Sequence, residues 1–141
     1  MSTSPAEFNA QVIDEFRANA GRVGGMLDGM PMLLLHHVGA KSGESRVNPL
    51  AYQADGDRYV IFASKAGAPT NPAWYYNLMA HPDTTVELGA ETFDVTAAEA
   101  EGEERERLFR TQAEQMPQFA EYEQKTERVI PVIILTPRAH G

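Results

Sequence analysis

Short apolar segments separated by tight polar turns recur along this chain from Met32 onwards, a pattern typical of β-strands joined in hairpins. The predicted strands are Met32–Val38, Ser45–Ala54, Arg58–Ala63, Thr84–Leu88, Glu91–Ala97 and Val129–Leu135. Asn48-Pro49 interrupts the second strand, and Asp55-Gly56 favours the positive φ of a hairpin turn after it.

Four segments have helical patterns. The first begins at Ser4–Glu7, where Ser4 caps, Pro5 occupies the first turn and Glu7 completes a capping box. It ends at Gly21, and its apolar face, expected to dock on the protein's own core, consists of Phe8, Val12, Phe16 and Ala20. The other predicted helices run from Asn71-Pro72 (cap and first position) to about Ala80, from Glu101 to about Met116, and over a short segment after Pro117.

The predicted strands outnumber the helices, occur in hairpins and show no βαβ alternation. This order favours a mainly β architecture of the α+β class, an antiparallel barrel with helices packed outside it. With 141 residues, the chain is expected to form one domain over residues 1–141, including the N-terminal helix at about 5–20.

Composition narrows the function classes. A net charge of −8 argues against nucleic-acid binding, and the lack of cysteine excludes disulfides and thiolate chemistry. No stretch is long and apolar enough to span a membrane, and no signal-peptide pattern is found. A cytoplasmic protein is therefore expected, as a monomer rather than a dimer. Weak peripheral contact of the first helix with the inner membrane face stays open.

Several standard signatures are absent from the sequence. There is no Walker loop or nucleophile elbow, and residues 21–29 lack the spacing of a dinucleotide-binding turn. His36 and His37 are neighbours on a strand and should point to opposite faces, while His81 and His140 lie elsewhere in the chain. No metal site is therefore predicted.

The segment Gly39–Leu50 carries the strongest chemical signal. Its glycines allow backbone N–H groups to converge on an anion, Lys41 adds a point charge, Ser42 a hydroxyl donor and Arg46 a planar fork. All eight net negative charges fall within residues 86–127, and the rest of the chain is balanced. Lys41, Arg46, Arg58 and Lys65 lie close together in that balanced part, and such a local basic site suggests a small anionic ligand, although ordinary solvated surface charges explain it as well. The residues predict a phosphate site, although a hairpin turn without a ligand explains them equally well.

Three separated motifs then resemble those of the deazaflavin-dependent nitroreductase family. They are Gly39–Leu50, Ala63–Gly67 and Asn71–Leu78, and Thr126–Val132 is similar to the closing strand of that family. The resemblance runs from about Met32 to Pro137. It implies a split β-barrel that binds the 8-hydroxy-5-deazaflavin coenzyme F420, with quinones and, in some members, nitroimidazoles as acceptors.

The resemblance also implies which residues hold the cofactor. Lys41, Ser42 and Arg46 would bind its phosphate and acidic tail. Residues lining the deazaflavin through backbone groups would be Val47, Asn48, Pro49, Leu50, Phe62, Ala63, Ser64 and Lys65. Residues closing over it at the start of a helix would be Ala73, Trp74, Tyr75, Tyr76 and Asn77. A helix N-terminus suits an anion and an indole can pack on a flat ring, although Trp74 also fits a core position.

The acceptor side departs from the family pattern. Three tyrosines surround the acceptor in the family's best-known nitroreductase, and the matching positions here are Met116, Phe119 and Tyr122. Only Tyr122 keeps a hydroxyl, and Ser64 offers another polar group. Loss of two donors favours an apolar acceptor such as a quinone over a nitro compound. Tyr122 or Ser64 would donate the proton, unless solvent does so, and Met116 and Phe119 also fit plain helix packing.

Two other functions remain open on the sequence. The same barrel could hold flavin mononucleotide instead of coenzyme F420. It could also serve as a non-catalytic binder of the cofactor or of a lipid-like molecule.

Overall fold

The computed structural model describes residues 5–19, 31–64, 71–126 and 129–138 of the chain. Four helices lie in this part: α1 (Pro5–Ala18), α2 (Ala73–Ala80), α3 (Gly102–Gln115) and α4 (Gln118–Lys125). The seven strands are β1 (Met32–Val38), β2 (Ser45–Ala51), β3 (Gln53–Asp55), β4 (Arg58–Phe62), β5 (Asp83–Leu88), β6 (Glu91–Glu99) and β7 (Val132–Pro137).

All seven strands form one sheet in the order β2-β1-β5-β6-β7-β4-β3. Every pairing is antiparallel, as the hairpin pattern predicted. The β1–β2 hairpin runs in continuous register from Met32 opposite Ala51 to Val38 opposite Ser45. The mainly β architecture with flanking helices is thereby confirmed.

The two edge strands of the sheet are neighbours in the chain. β2 ends at Ala51 and β3 begins at Gln53, so Tyr52 alone connects opposite edges of a seven-stranded sheet. Two residues of extended chain span at most about 7 Å. The sheet must therefore curl until its edges approach at this end, which produces the half-barrel.

The predicted strand Ser45–Ala54 is wrong as a single element. Pro49 stays inside β2, opposite Leu34, because β2 is an edge strand and one side of it needs no ladder N–H. The break falls instead at Tyr52, whose N–H donates to the Pro31 carbonyl at 3.1 Å, one step beyond the last pairing of β1 with β2.

Other boundaries shift by a few residues. β6 extends past the predicted Ala97 because it pairs with β7 as far as Glu99 opposite Ile133. β7 begins at Val132, where its pairing with Phe62 of β4 begins, and not at Val129. In α2 the cap is Pro72 in extended conformation, and not Asn71 as predicted. The Asn71 side-chain amide instead lies 3.4 Å from the Tyr76 hydroxyl.

Helices cover both faces of the sheet. The α2 side buries a cluster that includes Leu33, Leu35, Ile61, Val86, Trp74 and Leu78. On the other face, α3 and α4 cover a cluster that includes Val60, Phe62, Leu108, Phe109, Phe119 and Val132. Fully burying each such side chain contributes roughly 1.5–3 kcal/mol. Two packed layers of this kind fix the ends of β4 and β7 between them.

The first helix docks on the sheet, as predicted. Val12 and Phe16 of α1 are buried against Met32 and Leu34 of β1. The predicted contributions of Ser4, the Phe8 side chain and Ala20 lie outside the described residues. Within the described segments, no helix is both long and apolar enough to cross a membrane.

Candidate functional site

The turn between β1 and β2 is tightly closed. The Gly39 N–H donates to the Glu44 carbonyl and the Gly43 N–H to the Gly39 carbonyl, both at 2.9 Å. Gly43 has a φ of +72°, which an L side chain rarely adopts. A Cβ on Gly39 would lie 2.3 Å from Ser42 Oγ, so residue 39 is restricted to glycine while Ser42 keeps this rotamer.

The groups predicted to hold an anion lie together at this end of the hairpin. Lys41 and Ser42 are exposed on the turn, and Arg46 is exposed two residues after it on β2. The Arg46 Nη2 lies 3.8 Å from Glu44 Oε2, and both side chains are largely exposed. Such a surface pair is weak, so Arg46 can exchange it for a phosphate or carboxylate.

The turn is attached directly to the middle of α2. The Ala40 N–H donates to Asn77 Oδ1 at 2.9 Å. Within the described segments no side chain caps α2, whose Tyr75 N–H donates to the Pro72 carbonyl at 3.1 Å. The basic turn of the β1–β2 hairpin is therefore hydrogen-bonded to α2, about one helical turn from the positive end of the α2 dipole.

The Asn77 side chain also contacts His37, a buried histidine that the sequence did not indicate as a site residue. Asn77 Nδ2 lies 3.1 Å from His37 Nδ1, and His37 Nε2 lies 2.7 Å from Asn48 Oδ1. His37 is buried, whereas its neighbour His36 points to the opposite face and contacts Glu87 at 2.7 Å. Burial lowers the pKa of His37; the hydrogen bond to Asn48 opposes this shift, and the charge of Arg46 adds to it.

An unpaired seam lies between β2 and the end of β4. β3 covers β4 only at Arg58, Tyr59 and Val60, so in the described part of the chain no β3 residue pairs with Ile61 or Phe62. β2 pairs only with β1 there, and its outer edge lies near β4. Of the described residues, the outer edge of β2 and the side of Ile61 and Phe62 that β3 leaves uncovered therefore present backbone N–H and C=O groups toward the seam.

The segments predicted to line a ring border this seam, but their side chains point in alternate directions. Val47 packs against the α1 cluster, whereas Leu50 packs against the cluster of Trp74. Phe62 is buried between Phe109 and Phe119, with ring centroids 6.1 and 5.5 Å away. Asn48, Pro49 and Ser64 are half-buried, Ala63 is buried, and Lys65 lies outside the described residues.

The α2 residues are placed differently from one another. Trp74 is 5% exposed and belongs to the main core, so its indole is already packed on protein. Ala73 and Tyr76 are exposed, and the Tyr76 ring packs edge-on against Tyr75 at 5.2 Å. The Tyr75 hydroxyl donates to Glu99, and this hydrogen bond raises the pKa of Tyr75 to about 12.

The predicted acceptor residues form one group on the other face of the sheet. Phe119 is buried, and Met116 and Tyr122 pack against the same cluster, with the Tyr122 ring 5.3 Å from the Phe119 ring. Gln112 donates to the Met116 sulfur at 3.1 Å. Since Phe62 contacts Phe119 and Ala63 belongs to the cluster of Trp74, the end of β4 lies between the two sets.

A cavity of about 750 Å³ opens at the start of α3. Its lining includes Glu99, which accepts from Tyr75, and Pro131, whose carbonyl accepts from the Ala63 N–H at 3.0 Å. Buried Arg105 also lines it, and its Nε has no hydrogen-bond partner among the described residues. In the same part of the chain no three His, Cys, Asp or Glu side chains group as metal ligands.

Comparison with known proteins gives a consistent result. The family model for F420H(2)-dependent quinone reductases matches residues 9–137. An F420H(2)-dependent quinone reductase of Mycobacterium tuberculosis (strain ATCC 25618 / H37Rv) is 40% identical over 127 residues, which cover 87% of this chain and 85% of that protein.

Two solved structures are similar at the same level of sequence identity. An F420-H2-dependent reductase, FDR-A, is 43% identical with a TM-score of 0.69, covering 74% of this chain and 93% of that one. A structure described as a domain-swapped dimer is 40% identical with a TM-score of 0.71, covering 89% and 92%.

Proposed function

This chain belongs to the F420H(2)-dependent quinone reductase family, and we propose that it reduces a quinone at the seam between β2 and β4. It is an oxidoreductase whose cofactor is coenzyme F420, and flavin mononucleotide and a non-catalytic role are not favoured by these matches. The reduced deazaflavin supplies the hydride when bound. The chain's own residues bind the cofactor, orient it toward the acceptor and exclude water from the site.

One observation carries the proposal for the anionic part of the cofactor. The Ala40–Asn77 hydrogen bond holds the exposed Lys41–Ser42 turn against α2, so its basic side chain would act together with the N–H groups of the first turn of α2, which no described side chain caps. Arg46 joins them from β2. This donor set suits a phosphate and a chain of carboxylates, because both kinds of group accept from N–H and ammonium donors.

The ring would lie along the seam. The outer edge of β2, over Val47–Leu50, and the side of β4 that β3 leaves uncovered at Ile61 and Phe62 would border a flat heterocycle that presents both donors and acceptors. Ala63, Ser64 and Lys65 would continue this border. Ala73–Tyr76 would close the site from the other side. Because Trp74 is buried in the core, its role would be to fix the start of α2 rather than to cover the ring.

The acceptor side would be formed by Met116, Phe119 and Tyr122 together with Ser64. Met116 and Phe119 are apolar and pack in the cluster that contains Phe62, which favours a quinone and disfavours a nitro compound. The quinone takes up a hydride and a proton, and Tyr122 or Ser64 would hold that proton.

Binding of the oxidised cofactor to the purified chain tests this function. Fluorescence quenching should give a micromolar Kd, and Lys41→Ala or Arg46→Ala should each weaken it by about tenfold and flatten its salt dependence. Arg110→Ala, which removes one exposed positive charge from α3, should leave binding unchanged. Reduced cofactor with menadione should then be oxidised only when the chain is present; absence of both binding and turnover would contradict the proposal.

Oligomeric state and location are part of the proposal. One domain over residues 1–141 is expected because a single sheet links the described segments. The expectation of a monomer is weakened by the 40%-identical domain-swapped dimer, and light scattering would decide between the two states.

We also propose a cytoplasmic protein with only weak membrane contact. Vesicle sedimentation should then show little binding, since α1 buries Val12 and Phe16 on the sheet.

A further inference from the structure

Four groups form a continuous hydrogen-bonded series from the surface turn to the sheet. The Ala40 N–H donates to Asn77, Asn77 contacts His37, and His37 contacts Asn48, at 2.9, 3.1 and 2.7 Å. Asn77 and His37 are 7% and 4% exposed, so water cannot readily replace either partner. We call these four residues the Asn77 series.

The series permits a single protonation state of His37. The Ala40 N–H can only donate, so Asn77 Oδ1 must be its acceptor and Asn77 Nδ2 must face His37. Nδ2 carries only donors, so His37 Nδ1 must present its lone pair. His37 Nε2 therefore carries the hydrogen and donates to Asn48 Oδ1. The imidazole fits only when neutral.

We infer that neutral His37 is a positioning residue for the cofactor, acting through Asn77 to hold the Lys41–Ser42 turn against α2. This rests on the proposed function of the turn as the anion site. Protonation at Nδ1 would place two donors against each other. The Asn77 amide would then have to turn over, and its Nδ2 would face the Ala40 N–H, which breaks the bond between turn and helix.

The charges around His37 act in the same direction. From β2, Arg46 stands opposite His37 in the strand register and its charge disfavours a second positive charge. From β1, His36 adds a smaller effect of the same sign. α2 presents the uncharged Asn77 amide, and the turn adds exposed Lys41 and Glu44. The neutral imidazole is thus the resting form near neutral pH.

Cofactor affinity should therefore fall in acid through His37. Below the His37 pKa the competent fraction falls by about tenfold per pH unit, and the apparent Kd rises in proportion. In fluorescence titrations from pH 8 to pH 5, His37→Gln should bind more weakly at pH 8 but lose this dependence. His36→Gln, a change at the adjacent residue on the opposite face, should keep it. Titration of the cofactor itself affects wild type, His37→Gln and His36→Gln equally, so it cancels when their pH profiles of binding are compared.

Nitrogen-15 NMR of the ligand-free wild-type chain provides a readout that needs neither a variant nor a bound cofactor. The inference requires the Nε2–H tautomer of His37 and an Ala40 amide shift that follows the His37 titration. The Nδ1–H tautomer, or an Ala40 shift indifferent to it, would overturn the inference. So would equal pH profiles of binding in wild type and His37→Gln, with the proposed function intact. Absence of cofactor binding at every pH would instead refute the proposed function.

Discussion

The Ala63 N–H donates to the Pro131 carbonyl at 3.0 Å, one step beyond the last pairing of β4 with β7. This bond holds the residue before Ser64 in the sheet, although Ala63 lies just after β4 and Pro131 just before β7. Ala63 faces the cluster of Trp74, and its neighbour Phe62 faces Phe119. The proposed cofactor and acceptor sides therefore meet at a backbone position that is fixed before either ligand binds.

The hydroxyl of Tyr122 should contribute to catalysis without contributing to packing. Tyr122→Phe keeps the ring contact with Phe119, so stability should not change. The kcat for a quinone should fall by about tenfold, and by about 10²-fold when Ser64→Ala is added, because general acid catalysis has this order of effect. Steady-state kinetics checks this, with Tyr59→Phe as the control on β4. An unchanged kcat in the double variant would assign the proton to solvent.

The restriction at Gly39 should be relieved by a second substitution. Gly39→Ala brings a Cβ to 2.3 Å from Ser42 Oγ, and we expect a loss of about 1–2 kcal/mol in the free energy of unfolding. Adding Ser42→Ala should recover most of that loss in urea denaturation. Gly43→Ala is the matched control, because a Cβ built on Gly43 has no atom within 4 Å apart from those of the adjacent residues. Its cost comes from a φ of +72°, so Ser42→Ala should not relieve it.

Asp55 should stabilise the chain only above acidic pH. Hydrogen bonds from Arg107 at 3.2 Å, and then from Arg58 at 2.5 Å, lower the pKa of Asp55. A lowered folded-state pKa gives stability that is complete above the unfolded value of about 3.9 and is lost as pH falls through the folded one. Asp55→Asn should therefore cost about 0.5–1 kcal/mol at pH 7, a small value because Arg107 is half exposed.

Urea denaturation at pH 7 and pH 3 measures the Asp55 contribution. The difference between wild type and Asp55→Asn should shrink toward pH 3. Asp57→Asn, an exposed change on the same hairpin, should show no such trend. A difference of equal size at both pH values would mean that shape, and not charge, is responsible.

Tyr75 should stabilise the chain only below strongly alkaline pH, in contrast to Asp55, whose contribution is lost in acid. Its hydrogen bond to Glu99 raises the pKa of Tyr75 to about 12, above the ordinary value of 10. The protonated phenol is the form favoured by folding, so its contribution is present below about pH 10 and is lost as pH rises toward 12. The stability difference between wild type and Tyr75→Phe should be larger at pH 8 than at pH 11. Tyr76→Phe, on the neighbouring exposed ring, should show no such decrease.

Local patterns in the sequence were sufficient for most elements of the fold. β1 was predicted with its observed bounds because hydrophobicity and turn residues both act within a few residues. The break between β2 and β3 was misplaced, because whether Pro49 ends a strand depends on that strand lying at a sheet edge. The cap of α2 was shifted by one residue for a related reason, since Asn71 turns to Tyr76.

The site was only partly accessible from the sequence. Lys41, Ser42 and Arg46 lie close together in the sequence, and all three are found at one end of a hairpin. His37 was considered only as a metal ligand, because its partner Asn77 is 40 residues away. One signal was present: β1 and β2 pair in register, which brings Asn48 close to the inward-facing His37. The core position of Trp74 depends on tertiary packing that a lone indole does not reveal.

The covalent connection through Tyr52 limits the width of the seam between β2 and β4. Since this residue alone joins β2 to β3, bond lengths limit how far the two sheet edges can separate at that end. The opposite end, toward Ser45 and Ser64, has no such tether among the described residues. A planar ligand would therefore enter a seam whose width is fixed at the Tyr52 end and adjustable at the other. Inserting a few residues beside Tyr52 would let the two sheet edges separate and would weaken binding, without altering any residue that touches the ligand.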